Sequence, residues 1–113
     1  MAPRLSSHVL ASALLRLAER EGGFGAVLAK GDPDSGALTL IIVERGERRM
    51  LLERVASPTG GYAWAEAGNR AGDNDQAFAQ FLEKRRRIDP DLWLIELDVP
   101  SAERFADEMQ ALG

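Results

Sequence analysis

Two Asp-Pro-Asp triplets, Asp32-Pro33-Asp34 and Asp89-Pro90-Asp91, are the first places in this sequence where chemistry could reside. Four carboxylates from two loops could hold a divalent cation through oxygen ligands. They could also form an acid and base pair if held about 5–10 Å apart. A metal-assisted hydrolase built on Asp32, Asp34, Asp89 and Asp91 therefore requires the triplets to be neighbours in space. Against this, aspartate beside proline is ordinary turn chemistry. Asp32-x-Asp34-x-Gly36 also lacks the later ligands of a calcium loop, including its terminal glutamate. The turn reading is the stronger of the two.

The run Lys84-Arg85-Arg86-Arg87 is the most visible charge feature. As a phosphate-contacting patch it would bind nucleic acid with a steep salt dependence. As a structural feature it sits in the last turn of a predicted helix, where cations offset the negative end of the macrodipole. Asp89 and Asp91 follow at once, and consecutive residues on a helix do not share a face. The formal net charge of −4 disfavours general attraction to nucleic acid or anionic lipid. Nucleic acid is thus a weaker alternative, tied to this one local run.

His8 is the only histidine, and there is no cysteine. Disulfides, thiolate zinc sites and cysteine nucleophiles are excluded, and one imidazole does not make a histidine-rich metal site. His8 could act as a general base, but no partner motif accompanies it. Gly22-Gly23-Phe24-Gly25 follows a predicted helix, the wrong order for a dinucleotide fingerprint, and Gly60-Gly61 lacks the lysine of a phosphate-binding loop. No cofactor is expected. Trp93 reads as core. Trp64, with Tyr62 on the same strand face and glycine-rich loops beside it, could be an aromatic anchor for a partner or could simply pack on the sheet.

The elements that must position these residues follow from periodicity and punctuation. Residues 6–21 read as an amphipathic helix with Val9, Leu10, Ala13, Leu14 and Leu17 on one face, capped by Ser6 or Ser7 and stopped at Gly22-Gly23. Strands are expected at 24–29, 37–44 and 48–55, suggesting an antiparallel meander, with a short fourth at 62–66. The strand at 37–44 is apolar on both faces, so it is placed centrally. The turn between the first two strands rests on Pro33, on the Asp32 side chain bonding ahead, and on Gly36 adopting positive φ. A second helix begins at Asp73, with Gln76 in a loose capping box. Its inner stripe is Ala77, Phe78, Phe81, Leu82 and Arg85, and it ends before Pro90. A strand at 92–99 is covered on both faces in its first half and on one in its second. Pro100 and Ser101 open a last helix with the stripe Ala102, Phe105, Ala106, Met109 and Leu112. The order α-β-β-β-(β)-α-β-α over 113 residues predicts one α+β domain, with a single antiparallel sheet of four to five strands and helices packed on it.

Three blocks carry a family resemblance: Ala13-Leu14-Leu15-Arg16 running into Gly22-Gly23-Phe24; Lys30-Gly31-Asp32-Pro33-Asp34-Ser35-Gly36; and Arg85-Arg86-Arg87-Ile88-Asp89-Pro90-Asp91-Leu92-Trp93-Leu94-Ile95-Glu96. In this order and at this length the chain resembles domain of unknown function 1491, a small bacterial, mainly alphaproteobacterial family. Ile88 stands where an aromatic is more typical, a departure that touches packing only. The resemblance implies a bacterial, cytoplasmic, stand-alone domain and brings no catalytic residues with it.

These features favour a non-enzymatic protein-binding or adaptor module. The expected surface combines the loops around Tyr62 and Trp64 with the corner of Arg85, Arg86, Arg87, Asp89 and Asp91. Nucleic-acid binding through Lys84 to Arg87 and the metal-assisted hydrolase are the alternatives. No secretory signal or membrane span is recognisable, so the cytoplasm is the expected location and a monomer or homodimer the expected state.

Overall fold

The computed structural model describes residues 5–67 and 70–112. Helix α1 spans Ser7–Arg20, strand β1 Phe24–Ala29, β2 Leu38–Glu44, β3 Glu47–Ala56 and β4 Tyr62–Glu66. Helix α2 follows at Asp75–Ile88, then β5 at Trp93–Asp98 and helix α3 at Ala102–Met109. The α+β class and the element order are those expected.

The five strands form one sheet in the order β1-β5-β2-β3-β4. It is mostly antiparallel, with one parallel pairing between β2 and β5. β1 and β2 are therefore not hairpin neighbours as the meander expected. β5 enters between them, parallel to β2 and antiparallel to β1. Helix α2 makes this arrangement possible, because a parallel partner can be reached only through a crossover.

Both faces of β2 are covered, as its apolar alternation requires. On the first face Leu38, Leu40 and Ile42 meet Leu10, Leu14 and Leu17 of α1 and Phe105 and Met109 of α3. The last helix thus packs on its own sheet. On the second face Ile41, Val43 and Leu51 meet Phe78, Phe81 and Leu82 of α2. One short helix cannot span a five-stranded sheet: on this face Leu94 at the start of β5 is still buried, whereas the Glu96–Asp98 end of β5 and the neighbouring part of β1 are left open.

Local chemistry sets the helix ends. The Ser6 side chain accepts from the Val9 backbone N–H, so Ser6 is the cap of α1. Ser7 is buried and spends its hydroxyl on the Gly36 carbonyl. Val9, expected in the inner stripe, is 48% exposed, and Ala11 and Ala18 are buried instead. The cap of α2 is Asn74, which accepts from the Ala77 N–H, one residue beyond the expected Asp73 start. Ser101 caps α3. Between β2 and β3, Arg45 and Gly46 both have positive φ (53° and 81°), the two-residue turn whose twist suits a hairpin.

Candidate functional site

The two Asp-Pro-Asp corners are neighbours. β5 begins between the end of β1 and the start of β2, so the loop joining those strands must pass over its entry. There the Asp32 N–H donates to the Asp91 carbonyl at 3.0 Å, and the Trp93 N–H donates to the Ala37 carbonyl at 2.8 Å. The Trp93 indole N–H donates to the Asp32 carbonyl at 2.8 Å. Two glycines permit this approach. A Cβ at Gly31 would lie 1.9 Å from the Asp91 carbonyl oxygen, and one at Gly36 would lie 2.3 Å from it. Gly36 does not adopt the positive φ expected of it; closeness, not handedness, selects glycine there.

Two of the carboxylates, those of Asp32 and Asp89, are taken up by their own loops, while Asp34 and Asp91 are exposed. Asp32 accepts from the Ser35 N–H at 2.8 Å, the Ser35 hydroxyl at 3.1 Å and the Asp34 N–H at 3.2 Å. The Ser35 amide is the main cause, and its hydroxyl the second, of an Asp32 carboxyl held below its ordinary value of 3.8. Asp89 accepts from the Asp91 N–H at 3.1 Å. Among the described residues no group of three or more His, Asp or Glu side chains is arranged to hold a metal ion. His8 is exposed, its ring 6.5 Å from that of Trp93.

The basic run divides by direction. Arg85 makes a bidentate pair with Glu53 of β3 at 2.7 and 2.8 Å, and that bonded carboxylate raises its pKa. Arg86 turns back under the corner and donates from Nη1 to the carbonyls of Lys30, Pro90 and Leu92. Arg87 is exposed, 3.7 Å from Glu83 on its own helix, and Lys84 is exposed. Two of the four cations therefore build the fold.

Trp64 is only 6% exposed and belongs to the core under α1 and α3, so it is not a surface anchor. Tyr62 is half-buried, with the Arg54 guanidinium 4.7 Å over its ring. Since alternate residues of a strand face opposite sides, Tyr62 and Trp64 share the first face. Arg85 and Glu53 lie on the second, under α2. The aromatic pair and the arginine corner do not form one surface.

Sequence reasoning singled out nothing on the open half of the second face. There a groove of about 320 Å³ lies between α2 and β1, walled by Leu28, Ile41, Val43 and Leu82. Its floor carries Glu96 and Asp98, side by side on the central strand β5 and half-buried. Neither carboxylate has a cationic partner among the described residues. The groove's one basic side chain, Arg48, is tied to Asp75 at 2.8 Å and to the Asp73 carbonyl, and stacks 4.3 Å over Phe78. Among the described residues, three carboxylates (Asp75, Glu96 and Asp98) line the groove against one guanidinium, an excess of two negative charges. Along its rim Phe24 and Leu28 are 63% and 50% exposed. The signal was present in the half-polar end of β5, but only the strand order shows that no helix covers it.

Comparisons with known proteins bear on the family and the fold. A family model described as "Protein of unknown function (DUF1491)" matches residues 5–107. The chain belongs to this family. A crystal structure of a DUF1491 family protein from Caulobacter crescentus CB15 is similar, with 29% sequence identity and a TM-score of 0.76 over 89% of this chain and 94% of that one. An NMR structure of a DUF1491 family protein from the same organism gives 28% and 0.74 over 92% and 94%. A solution structure of a protein from A. tumefaciens gives 27% and 0.70 over 91% and 92%. A search of curated proteins found no match. Among the described residues no helix is long and apolar enough to cross a membrane.

Proposed function

We propose that this DUF1491 protein is a non-enzymatic binding module that docks a partner protein on the open half of its sheet. The observation that carries the reading is the groove floor. Glu96 and Asp98 stand half-buried on an interior strand between apolar walls, with no cationic partner among the described residues. Carboxylates are among the residues least often found inside unless paired, and burying a charge without a partner is costly. A fold that needed only stability would place apolar side chains here, as it does at Ile41 and Val43 of the adjacent strand.

This reading keeps the binding role and moves its centre from the Tyr62–Trp64 loops to the groove. Nucleic acid has less support, because Arg85 and Arg86 are engaged within the fold. The hydrolase has less support again, because Asp32 and Asp89 accept from their own loops. The test is site-specific photo-crosslinking in the host, with a photoreactive phenylalanine at Leu28 and, as a control, at exposed Glu19 on α1. A discrete protein adduct from position 28 and none from position 19 is expected. No adduct, or the same adducts from both positions, would overturn the proposal.

A further inference from the structure

Resting on the docking reading, we infer that the occupant is an extended segment that adds as a sixth strand to the free edge of β1 and inserts a lysine or arginine toward Glu96. The two edges of the sheet differ. The β4 edge is closed by Gln110 at the end of α3, whose amide accepts from the Trp64 N–H at 3.3 Å and donates to the Trp64 carbonyl at 3.4 Å. That side chain occupies the backbone groups a further strand would use. β1 has no such cover among the described residues. Its sequence, Phe-Gly-Ala-Val-Leu-Ala, carries no charge and no proline, two of the devices with which exposed edges are ordinarily blunted; a third, the break in register, is confined to its C-terminal end. An open edge of this kind is the template for strand addition.

The side chains of the second face specify what would fit. Phe24 and Ala26 point the same way, with exposed Leu28 lining the same groove, so a small residue sits between two large ones. In register across β5, Ala26 faces Glu96 and Phe24 faces Asp98. Ala26 thus leaves a notch leading from the edge to the carboxylates. A guest strand would lie two strand spacings from β5, about 9.6 Å. A long basic side chain lying along apolar surface closes that gap with the Glu96 side chain. Apolar residues two positions either side of it meet Phe24 and Leu28, which makes the recognised pattern apolar–x–basic–x–apolar.

The charge argues against a second copy of this chain as the occupant. β1 carries no cation, so pairing β1 with β1 would leave Glu96 and Asp98 as they are. The break in register between Val27 and Ala29 limits the flat edge to Phe24–Val27.

The experiment is an amide NMR titration of the full chain with a capped peptide, Thr-Val-Thr-Lys-Thr-Val-Thr, and with its glutamine analogue. The lysine peptide is expected to shift Phe24–Val27 and Glu96, and to bind about tenfold more tightly than the glutamine peptide. Glu96→Gln should make the two peptides equal. Ala26→Lys, on an exposed edge where folding tolerates it, should fill the notch and abolish binding. Equal affinities for wild type, shifts outside β1 and β5, or no shift at about 1 mM peptide would each overturn the inference. Concentration-dependent shifts of β1 without peptide would also overturn it, in favour of a second copy. If Leu28 still yields its adduct when the lysine peptide does not bind, the docking reading survives and the strand inference alone fails.

Discussion

Replacing Arg86 by methionine should cost this domain about 2 kcal/mol. The Nη1 atom of Arg86 carries two hydrogens and serves three carbonyls, those of Lys30 at 3.1 Å, Pro90 at 3.3 Å and Leu92. The three bonds therefore compete, and their contributions do not simply add. Hydrogen bonds from an ionised donor contribute about 1.5–3 kcal/mol each. The two outer carbonyls are exposed, so water replaces most of what they lose. The Leu92 bond is partly buried and contributes the main share. Methionine keeps the stem and its packing, which isolates the guanidinium. With an unfolding entropy of about 2.1 cal/mol/K per residue, a loss of 2 kcal/mol lowers Tm by about 8 °C. Thermal and urea unfolding of the purified variant measure this directly. A change below about 0.5 kcal/mol would mean that the corner holds without its brace, and would refute the assignment of Arg86 as the link between β1, the corner and β5.

Two further outcomes follow from the same geometry. Because the Asp32 carboxyl sits below its ordinary value, mainly through the Ser35 amide, its contribution is present above about pH 3.8 and is lost as pH falls through the lower folded value. Thermal unfolding across pH should show the gap between wild type and Asp32→Ala steady from about pH 5 to 7 and shrinking below pH 3.8; a gap that widens in acid would contradict the loop geometry. Thr39 is fully buried and its hydroxyl has no hydrogen-bond partner among the described residues. Thr39→Val removes that orphan at nearly constant volume and should stabilise the protein by about 1 kcal/mol in denaturant unfolding, whereas destabilisation would show that the hydroxyl is satisfied.

How legible each feature was depends on its range. Helix stripes, caps within a residue, and the turn made by Asp32 are local, and periodicity and side-chain chemistry expose them. β2 was recognisable as central because both of its faces are apolar. The insertion of β5 between β1 and β2 was not legible, since strand order depends on pairings between residues far apart in the chain. That one feature explains the other misses. It brings the two Asp-Pro-Asp corners together by their backbones, which no spacing rule reveals. It makes Gly36 a matter of clearance from Asp91 and not of φ. It also sets the Glu96–Asp98 end of β5 beside β1, so that Phe24 and Leu28, ordinary apolar residues in the sequence, become the rim of a groove. Trp64 carried a signal that pointed both ways, and the fold resolved it toward the core.

The most direct test of the docking account couples stability to binding in a single variant, Glu96→Val. If Glu96 is retained for a partner, valine on a central strand should stabilise the free protein by about 1 kcal/mol while the protein adduct at Leu28 disappears. A variant that is less stable than wild type, or one that keeps its adduct in full, would contradict the claim that this groove is the protein's docking site.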